Sequence, residues 1–474
     1  MNRGNILVHI VIAVVLISLA AVVGQIGRWR SALKTEDVPR VKKVVKTVSN
    51  QRTAADNEAE VLVRFKSGVT MPEIKRIVSR NNDRIEDEIE SVNGLVAVDD
   101  LDNADVADVV RQYQDLSDYV EYSEPNYEIR LDDPVNRNTR PREIDPSDLP
   151  GAPNDPQFPD QWALNNTGQN GGKANAHIDA LRAWAKTQGS SDVVVAVLDT
   201  GVDYTHRDLV GNMWIRPESV PQYSDDELGS FDDLRGFDAN TNAADPMDDN
   251  GHGTHVAGII GAEGDNGEGI AGINWNVSIM PLKFLGRGGF GSTKNAIEAI
   301  NYAIDRKKNG VNIRVINASW GSTQRSKALE DVIRAAGDAG ILFVAAAGNS
   351  STDNDKRGHY PSNYDLPNVI SVAALDRNDL LATFSNFGAK TVHVAAPGRE
   401  ILSTWLNDEY REASGTSMAA PQVAGIAALI VANDPKISMA KLRERILKSV
   451  DPIDTLLGKT LVGGRLNAAK ALGE

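Results

Sequence analysis

The chain of 474 residues has no cysteine and no excess of positive charge. The absence of cysteine excludes disulfide staples, zinc–thiolate sites and a lipid-modified cysteine anchor. Lys and Arg number 50 against 65 Asp and Glu, and the net charge of −15 argues against a nucleic-acid binder, which needs a basic face. Hydrophobic residues at 41% and charged residues at 24% are ordinary for folded proteins. The length predicts two or three domains.

The N-terminus carries an apolar run from Ile6 to Val23 that one His and one Ser interrupt. This length fits either the core of a long signal peptide or a short transmembrane helix. Small residues at positions 18 to 20 suit a signal peptidase, whereas seven Lys and Arg residues within 28–46 oppose export. We expect an extracytoplasmic protein, with residues 1–27 a cleaved signal peptide in preference to a membrane anchor through residues 6–23. Without disulfides, bound calcium is the obvious stabiliser.

Residues 28–58 are polar and predict a linker, and residues 59–131 predict a small α/β module. The expected order of elements is βαββαβ, which is ferredoxin-like. The segments are a strand at Val61–Phe65, a helix at Met71–Arg80, a hairpin within 85–98 around Asn93-Gly94, a helix capped by Asn103 and reaching about Leu116, and a last strand at 119–131.

Residues 132–154 contain five prolines and many charges without periodicity. Such a segment is an exposed connector, where proteolytic nicking concentrates. We predict a maturation cleavage between Glu128 and Pro153.

From residue 155 to residue 474, short apolar runs alternate with stretches of helical spacing. This alternation predicts a doubly wound, largely parallel α/β sheet with helices on both faces. Functional groups gather at the carboxyl ends of such strands, and Asp199 and Asn349 both directly follow apolar runs. The strands are expected at 193–198, 313–318, 341–347 and 369–374, and the helices at 293–308 and 326–337.

Three motifs in a fixed order contain an acid, a base and a nucleophile among small residues: Val197-Leu-Asp199-Thr-Gly201, Asn250-Gly-His252-Gly-Thr-His255 and Gly415-Thr-Ser417-Met-Ala-Ala-Pro421. A serine hydroxyl needs a base within hydrogen-bond reach, and His252 is the candidate for Ser417. Asp199 would orient the imidazole. Ser417 opens an apolar helix, whose N-terminus favours a developing negative charge.

His255 raises the alternative of metal catalysis. Two histidines at i and i+3 can share a helix face, but catalytic zinc needs a further protein ligand. No Glu stands between them, as a zincin motif would require. Acyl transfer therefore remains the favoured chemistry.

On these motifs, the stretch from about Asp155 to Leu472 resembles a subtilisin-like serine protease, in which the chain order is also Asp, His, Ser. Residues 59–131 resemble the inhibitory propeptide of that family, and the segment from Val120 to Tyr127 is close to the phrase that ends such propeptides. The resemblance implies a serine endopeptidase acting on polypeptides. It also implies self-processing from a zymogen, with the propeptide assisting folding and then blocking the cleft.

The resemblance also implies a substrate cleft and an oxyanion site. Asn349 and the Ser417 N–H would hold the oxyanion, and an apolar preference is expected for the residue before the scissile bond. His359 would lie near the base of that residue's pocket, and Trp320 would narrow or roof the cleft. One wall would be Ser319, Trp320 and Gly321, the opposing edge Gly286, Gly289, Phe290 and Gly291, and the pocket lining Ala347 and Gly348.

A structural calcium site is implied in the same way, because calcium takes six to eight oxygen ligands, often main-chain ones. The ligands would be the side chains of Asp155, Asp208 and Asn266 and the carbonyls of Glu263, Glu268 and Ile270. A second site or a merely acidic loop is open for Asp238, Asp245, Asp248 and Asp249. The chain departs from the family at Gln422 and His393, and the latter removes a weak cation site from consideration.

Two other functions remain open. One is a membrane-tethered peptide-binding protein that keeps the fold without turnover, although a silent copy has no reason to keep the triad and Asn349. The other is an esterase using the same site.

Overall fold

The computed structural model describes residues 60–131, 151–225 and 229–474. They form an N-terminal unit (residues 60–131) and a C-terminal unit (residues 151–474). The predicted leader, the linker and most of the connector lie outside the described residues.

The N-terminal unit contains β1 (Val61–Phe65), α1 (Met71–Arg80), β2 (Asp83–Glu88), β3 (Leu95–Asp100), α2 (Val106–Gln114), β4 (Val120–Pro125) and β5 (Glu128–Arg130). Strands β1 to β4 form an antiparallel sheet in the order β2-β3-β1-β4, so the ferredoxin-like prediction is confirmed. Because side chains alternate along a strand, Val61 and Val63 pack on α1 and α2, whereas Leu62 packs on the C-terminal unit.

Two predictions for this unit are wrong in detail. Asn103 has a positive φ of 54° and does not cap α2; Asp105 does so, accepting a hydrogen bond from the Ala107 N–H at 3.1 Å. The last strand does not run unbroken to residue 131. It stops at Pro125, and β5 leaves the sheet to pair with the C-terminal unit.

The C-terminal unit confirms the doubly wound prediction. Its helices are α3 (Ala180–Trp184), α4 (His252–Gly261), α5 (Thr293–Lys308), α6 (Lys327–Asp338), α7 (Thr416–Asn433), α8 (Met439–Lys448) and α9 (Ala468–Ala471). Its strands are β6 (Gly189–Asp199), β7 (Tyr223–Asp225), β8 (Gly229–Phe231), β9 (Phe237–Asp238), β10 (Asn276–Lys283), β11 (Phe290–Ser292), β12 (Ile313–Ala318), β13 (Leu342–Ala346), β14 (Val369–Leu375), β15 (Val394–Pro397), β16 (Ile401–Trp405), β17 (Glu409–Ala413), β18 (Val450–Pro452) and β19 (Gly464–Leu466).

One nine-stranded sheet organises this unit, in the order β18-β19-β15-β14-β13-β12-β6-β10-β9. All neighbouring pairs are parallel except β18 with β19. Helices α4 and α7 pack on one face and α5 and α6 on the other. Helices cover both faces of the central strands, and this explains why these strands are continuous runs of β-branched residues and alanine.

Within the described ranges, α7 alone is long and apolar enough to cross a membrane, but 89% of it is buried inside the C-terminal unit. It is therefore the core helix of this unit. The apolar run at residues 6–23 is not among the described residues.

The two units share an apolar interface. The face of the N-terminal sheet that carries Leu62 and Tyr122 joins the same cluster as Ile300 of α5 and Val332 of α6. The Tyr122 hydroxyl also donates to the Asp331 carboxylate at 2.8 Å. This docking places β5 beside β11.

Candidate active site

The predicted acid and base meet at the carboxyl edge of the central sheet. Asp199 is the last residue of β6 and His252 the first of α4, and His252 Nδ1 lies 2.7 Å from Asp199 Oδ1. The same carboxylate oxygen accepts the Thr200 N–H at 2.8 Å. Both side chains are almost fully buried, so solvent screens their interaction little.

Glycines and one further carboxylate hold the start of α4. Gly251 has a φ of 107°, and a Cβ there would lie 2.5 Å from the Trp405 ring, so only glycine fits. Asp248 accepts the Gly251 N–H at 3.0 Å and, through its other oxygen, the Thr254 N–H at 3.0 Å. Burial raises the pKa of Asp248, while these N–H donors favour its charged form. Asp248 is thus a helix-capping group and not part of a calcium loop.

Ser417 lies at the same edge, in the first turn of α7. Its Oγ donates to the carbonyl oxygen of Ser319 at 2.9 Å, and Ser319 Oγ returns a bond to the Ser417 carbonyl at 2.7 Å. Ser319 directly follows β12, whose Ala318 pairs with Leu198 next to Asp199. The register of two adjacent strands therefore places Ser417 at the sheet edge that also carries Asp199.

Asn349 adds a hydrogen-bond donor beside Ser417. Its Oδ1 accepts the Thr416 N–H at 2.8 Å and the Thr416 hydroxyl at 3.0 Å, and its Nδ2 has no hydrogen-bond partner among the described residues. A Cβ on Gly415 would lie 3.3 Å from that Nδ2 and 3.5 Å from the Ser417 N. The missing Cβ leaves a space bordered by two N–H donors.

His255 has a structural environment. Its Nε2 lies 3.1 Å from the Ile401 carbonyl and 3.0 Å from the Arg411 carbonyl. Burial lowers its pKa to about 3. A neutral ring held between two carbonyl oxygens supports the structural reading and not metal binding.

The predicted substrate edges hold the end of the N-terminal unit. Strand β5 pairs antiparallel with β11, joining Ile129 to Gly291, and the Leu131 N–H donates to the Gly289 carbonyl at 2.9 Å. On its other side Arg130 forms a bridge with Gly321. Segment 128–131 is therefore a middle strand between both predicted walls, the geometry of peptide binding by strand addition.

Two cleft predictions are corrected. The Trp320 side chain is 1% exposed, donates from Nε1 to the Leu198 carbonyl at 2.9 Å and packs on Phe284, so it neither narrows nor roofs the cleft. Gly286 lies before β11, outside the strand pairing with segment 128–131. It closes the turn before β11, donating to the Phe290 carbonyl at 2.8 Å.

The residues predicted to form the pocket lie together. A Cβ on Gly321 would fall 2.1 Å from the His359 ring, and one on Gly348 would fall 2.9 Å from it. The imidazole thus occupies the space between the two walls. The Ala347 carbonyl accepts side-chain amides of Asn354 at 2.9 Å and Asn386 at 3.0 Å, which fixes the second wall. Phe290 is exposed, and the Arg130 guanidinium lies 4.7 Å over its ring.

Most of the predicted calcium ligands are also brought together. Asp155 and Asp208 are fully buried; Asp208 accepts the Ile270 N–H at 3.0 Å and Asn266 Nδ2 at 2.9 Å. Asp155 Oδ1 has no hydrogen-bond partner in the described part of the chain. Burial raises the pKa of Asp155 to about 6 and, with repulsion from Asp155, that of Asp208 to about 7. Such an undercompensated acidic pair suits a cation.

The two glutamates of the predicted calcium set use their side chains elsewhere. The Glu263 carboxylate accepts the Gly211 N–H at 2.6 Å, and the exposed Glu268 carboxylate lies 3.4 Å from the Arg207 guanidinium. The predicted ligands are the main-chain carbonyls of these residues, which these contacts do not involve. A separate acidic cluster of Asp87, Asp225 and Glu298, with oxygens within 4.8 Å of one another, lies between the two units and was not predicted.

The sequence reasoning also missed Glu124. Its carboxylate crosses between the units and caps α6, accepting the Ser326 hydroxyl at 2.6 Å and the N–H groups of Lys327 at 2.9 Å and Ala328 at 3.1 Å. Ser326 at the start of a periodic stretch signals a helix N-terminus. Nothing local indicates a second capping group about 200 residues away along the chain.

Comparison with known proteins agrees with this geometry. Residues 190–469 match the Subtilase family of peptidases. The chain belongs to the subtilase family. A thermophilic serine proteinase of Bacillus sp. (strain AK1) is 33% identical over 97% of this chain and 98% of its own length. Thermitase of Thermoactinomyces vulgaris is 35% identical over 62% of this chain and 93% of its own length.

A solved protease structure from Pseudoalteromonas arctica PAMC 21717 is 30% identical, covers 68% of this subtilase and 98% of the solved chain, and superposes with a TM-score of 0.56. Family membership and these serine proteinase relatives establish the chain as a serine endopeptidase. The subtilase fold predicted from its motifs is confirmed.

Proposed function

We propose that this subtilase hydrolyses peptide bonds through Asp199, His252 and Ser417, and that it processes itself from a zymogen. The observation that carries the proposal is the 2.7 Å contact between His252 and Asp199 at the sheet edge that also holds Ser417. The acid ends β6, the base begins α4 and the serine lies in the first turn of α7, so regular elements fix the position of each.

The proposed acyl transfer uses each group in turn. The Ser417 hydroxyl turns from the Ser319 carbonyl towards His252, which takes its proton as Oγ attacks the substrate carbonyl carbon. The negative charge that develops on the carbonyl oxygen is stabilised by Asn349 Nδ2 and the Ser417 N–H. His252 then protonates the leaving amine. Water attacks the acyl-enzyme with His252 again as base, releasing the acid and restoring the serine.

The N-terminal unit is proposed to be the propeptide and inhibitor. Segment 128–131 occupies the cleft as an added strand, and Glu124 fastens it to α6. Glu128, Ile129 and Arg130 pair with β11, and Arg130 also bridges Gly321, two residues after Ser319, whose carbonyl accepts the Ser417 hydroxyl. We therefore expect self-cleavage within a few residues after Leu131, at the start of the connector.

Calcium is proposed as a structural ligand of the Asp155–Asp208 pair, with Asn266 and the carbonyls of Glu263, Glu268 and Ile270. When bound, the ion supplies positive charge to two buried acids. The chain's own part is to tie the loop around residues 265–270 to the start of the C-terminal unit, where the Asp265 N–H already donates to Asp155 at 2.8 Å.

An extracytoplasmic location is proposed from the apolar run at residues 6–23 and from relatives named as extracellular or cell wall-associated. The cell wall-associated protease of Bacillus subtilis is 37% identical over 63% of this chain and 30% of its own length. Whether the run is a signal peptide or an anchor decides between a secreted and a membrane-attached enzyme.

The test compares the intact masses of the purified full chain and its Ser417→Ala variant. We expect the wild type to be cut after about Leu131, whereas the variant keeps that bond. Equal cutting of both would assign processing to another protease. Both chains intact, with no hydrolysis of peptides, would favour a silent peptide-binding protein. Cleavage of esters without peptides would favour an esterase.

A further inference from the structure

The surface between the two units buries more carboxyl groups than positive charges. From the N-terminal unit come Asp87 of β2 and Glu90, which follows it; from the C-terminal unit come Glu298 of α5 and Asp225 of β7. Asp87 is 0% exposed and Glu298 is 1% exposed. The ammonium of Lys294, 3.2 Å from Asp87 Oδ2, is the positive charge that faces the cluster.

The four carboxyls form two pairs, each with one member from either unit. Carboxyl oxygens of Asp87 and Glu298 lie within 4.8 Å of each other, and the two side chains are placed to share a hydrogen bond. Glu90 is held by the Asn301 side-chain amide, whose oxygen accepts the Ser91 N–H at 3.0 Å, and it interacts electrostatically with Asp225, whose carboxyl lies within 4.8 Å of those of Asp87 and Glu298. Buried carboxyls at this range repel each other when both are charged, so a pair favours holding one proton.

We propose that these two carboxyl pairs make docking of the propeptide proton-dependent, so that the inhibitor is held in acid and released as the pH rises. The inference rests on the proposed inhibitory role of the N-terminal unit. The ligand it assigns to the cluster is a proton for each pair.

The direction of the pH dependence follows from the surroundings of Glu298 and Glu90. Burial, with repulsion from Asp87 added, raises the pKa of Glu298 well above its usual range; burial and the contact with Asp225 raise that of Glu90 to about 8. In the separated units both return towards about 4.3. Docking is therefore strongest below that value and weakens up to about tenfold per pH unit for each group, until the pH passes the docked value.

Other charged groups around the cluster do not reverse this direction. Despite burial, Glu298 and Asp87 raise the pKa of Lys294 to about 12, so its charge stays constant while the carboxyls titrate. The remaining acidic or phenolic neighbours on the packed elements add repulsion or are neutral: Glu86 on β2, Tyr223 on β7 and Asp305 on α5. Lys294 also makes a divalent cation at the same point unfavourable.

The test measures amide hydrogen exchange in the full Ser417→Ala chain from pH 5 to pH 8, so that no peptidase activity is needed. The reporters are the Leu131 and Ser91 amides, which bond across the interface. Their protection is compared with that of amides in β13, which removes the intrinsic pH dependence of exchange. We expect their relative protection to fall by at least tenfold over this range.

Glu298→Gln replaces the shared proton by an amide that donates at every pH. We expect this variant to lose only the share of protection that depends on the Glu90–Asp225 pair, so that at pH 8 its protection stays at least tenfold above the parent. Asp87→Asn tests the same pair from the other unit should the first variant not fold. Glu73→Gln, on the exposed side of α1, is the matched control and should follow the parent.

A flat profile in the parent, or a lower protection of Glu298→Gln at pH 8, would overturn the proposal. Calcium that restores protection at pH 8 in the parent but not in Glu298→Gln would replace the proton by a cation. Failure of the proposed function would show separately, as absence of self-cleavage in the wild type.

Discussion

The active-site edge and the docking surface are opposites in hydrogen bonding. At the active-site edge the donors are in excess: Asn349 Nδ2 and the start of α7 face a space that Gly415 leaves open. At the docking surface the acceptors are in excess, because carboxyls from both units face each other. A surplus of donors stabilises a negative charge that develops nearby, whereas a surplus of acceptors favours the binding of a proton. Burial alone does not distinguish the two surfaces, whereas the hydrogen-bonding partners of the buried groups do.

The largest effect is expected from removing the unpaired donor at the active-site edge, Asn349 Nδ2. Asn349→Ala should lower kcat roughly 10² to 10³-fold, the magnitude known for the corresponding asparagine in subtilisin, with little change in KM. Steady-state kinetics on a peptide substrate would measure it. Asn354→Ala, which loses a bond to the Ala347 carbonyl in the pocket wall, serves as a comparison that should affect KM as well. An unchanged kcat for Asn349→Ala would remove the oxyanion assignment.

The proposed calcium site lies between the two extremes, since Asp208 is supplied with donors and Asp155 only in part. Ligand binding at 100 to 1,000 times Kd stabilises by about 3 to 4 kcal/mol, so chelation at pH 8 should lower Tm by several degrees. At pH 5 the effect should be much smaller, because the pKa values of about 6 and about 7 leave both carboxyls protonated there. Without metal these raised values mean that stability is lost as the pH rises through them. Ser417→Ala prevents autolysis during the melts, and an equal Tm with and without chelator at pH 8 would contradict the site.

Asp248, a carboxylate with a full set of hydrogen-bond donors, should behave differently from the acids of the proposed calcium site. Asp248→Ala removes the cap of α4 and should cost about 2 kcal/mol of the free energy of unfolding, measured by urea titration in the Ser417→Ala background. Its neighbour Asp249 is a matched control. That side chain is 49% exposed and paired with Lys283, so Asp249→Ala should cost less than about 1 kcal/mol. Equal costs would show that the buried donors around Asp248 carry no special weight.

The smallest expected effect is at Glu124, a carboxyl of the docking surface that accepts hydrogen bonds from three donors. Glu124→Gln keeps its shape but loses charge-assisted bonds to α6, and should weaken docking by about 1 kcal/mol, roughly fivefold. Exchange at the Leu131 amide in the Ser417→Ala chain would report it, with the more exposed Glu121→Gln as control. An effect as large as that expected for Glu298→Gln, or of the same sign, would erase the distinction between the two kinds of carboxyl.

Local patterns predicted the elements well because their causes are local. Met71–Arg80, Ile313–Ala318 and Thr293–Lys308 have the predicted bounds, since apolar periodicity and neighbouring turn residues set them. The site motifs also had the right context, with Asp199 ending a strand and His252 and Ser417 beginning helices. The bounds of the strand predicted at 119–131 depend on distant partners. The strand in the N-terminal sheet ends at Pro125, and Glu128–Arg130 pair with β11 of the other unit.

The sequence did not predict which residues contact each other across long sequence separations. The resemblance places the Trp320 side chain at the cleft, but this residue follows the end of β12 and its ring is buried in the core beside Phe284. The pairing of Asp87 with Glu298 spans more than two hundred positions and two folded units. Both residues read as ordinary solvated acids on amphipathic elements until the units are docked.

The sheet of the N-terminal unit is covered on both faces, by its own helices on one and by α5 and α6 on the other. Once detached, it would present Leu62, Leu95 and Tyr122 to water and leave a freshly opened protease beside it. Such a fragment loses part of its core at the moment it meets an enzyme that degrades loosened chains. If the N-terminal unit is the propeptide, as proposed, its departure and its destruction would be one event, and activation would run in one direction.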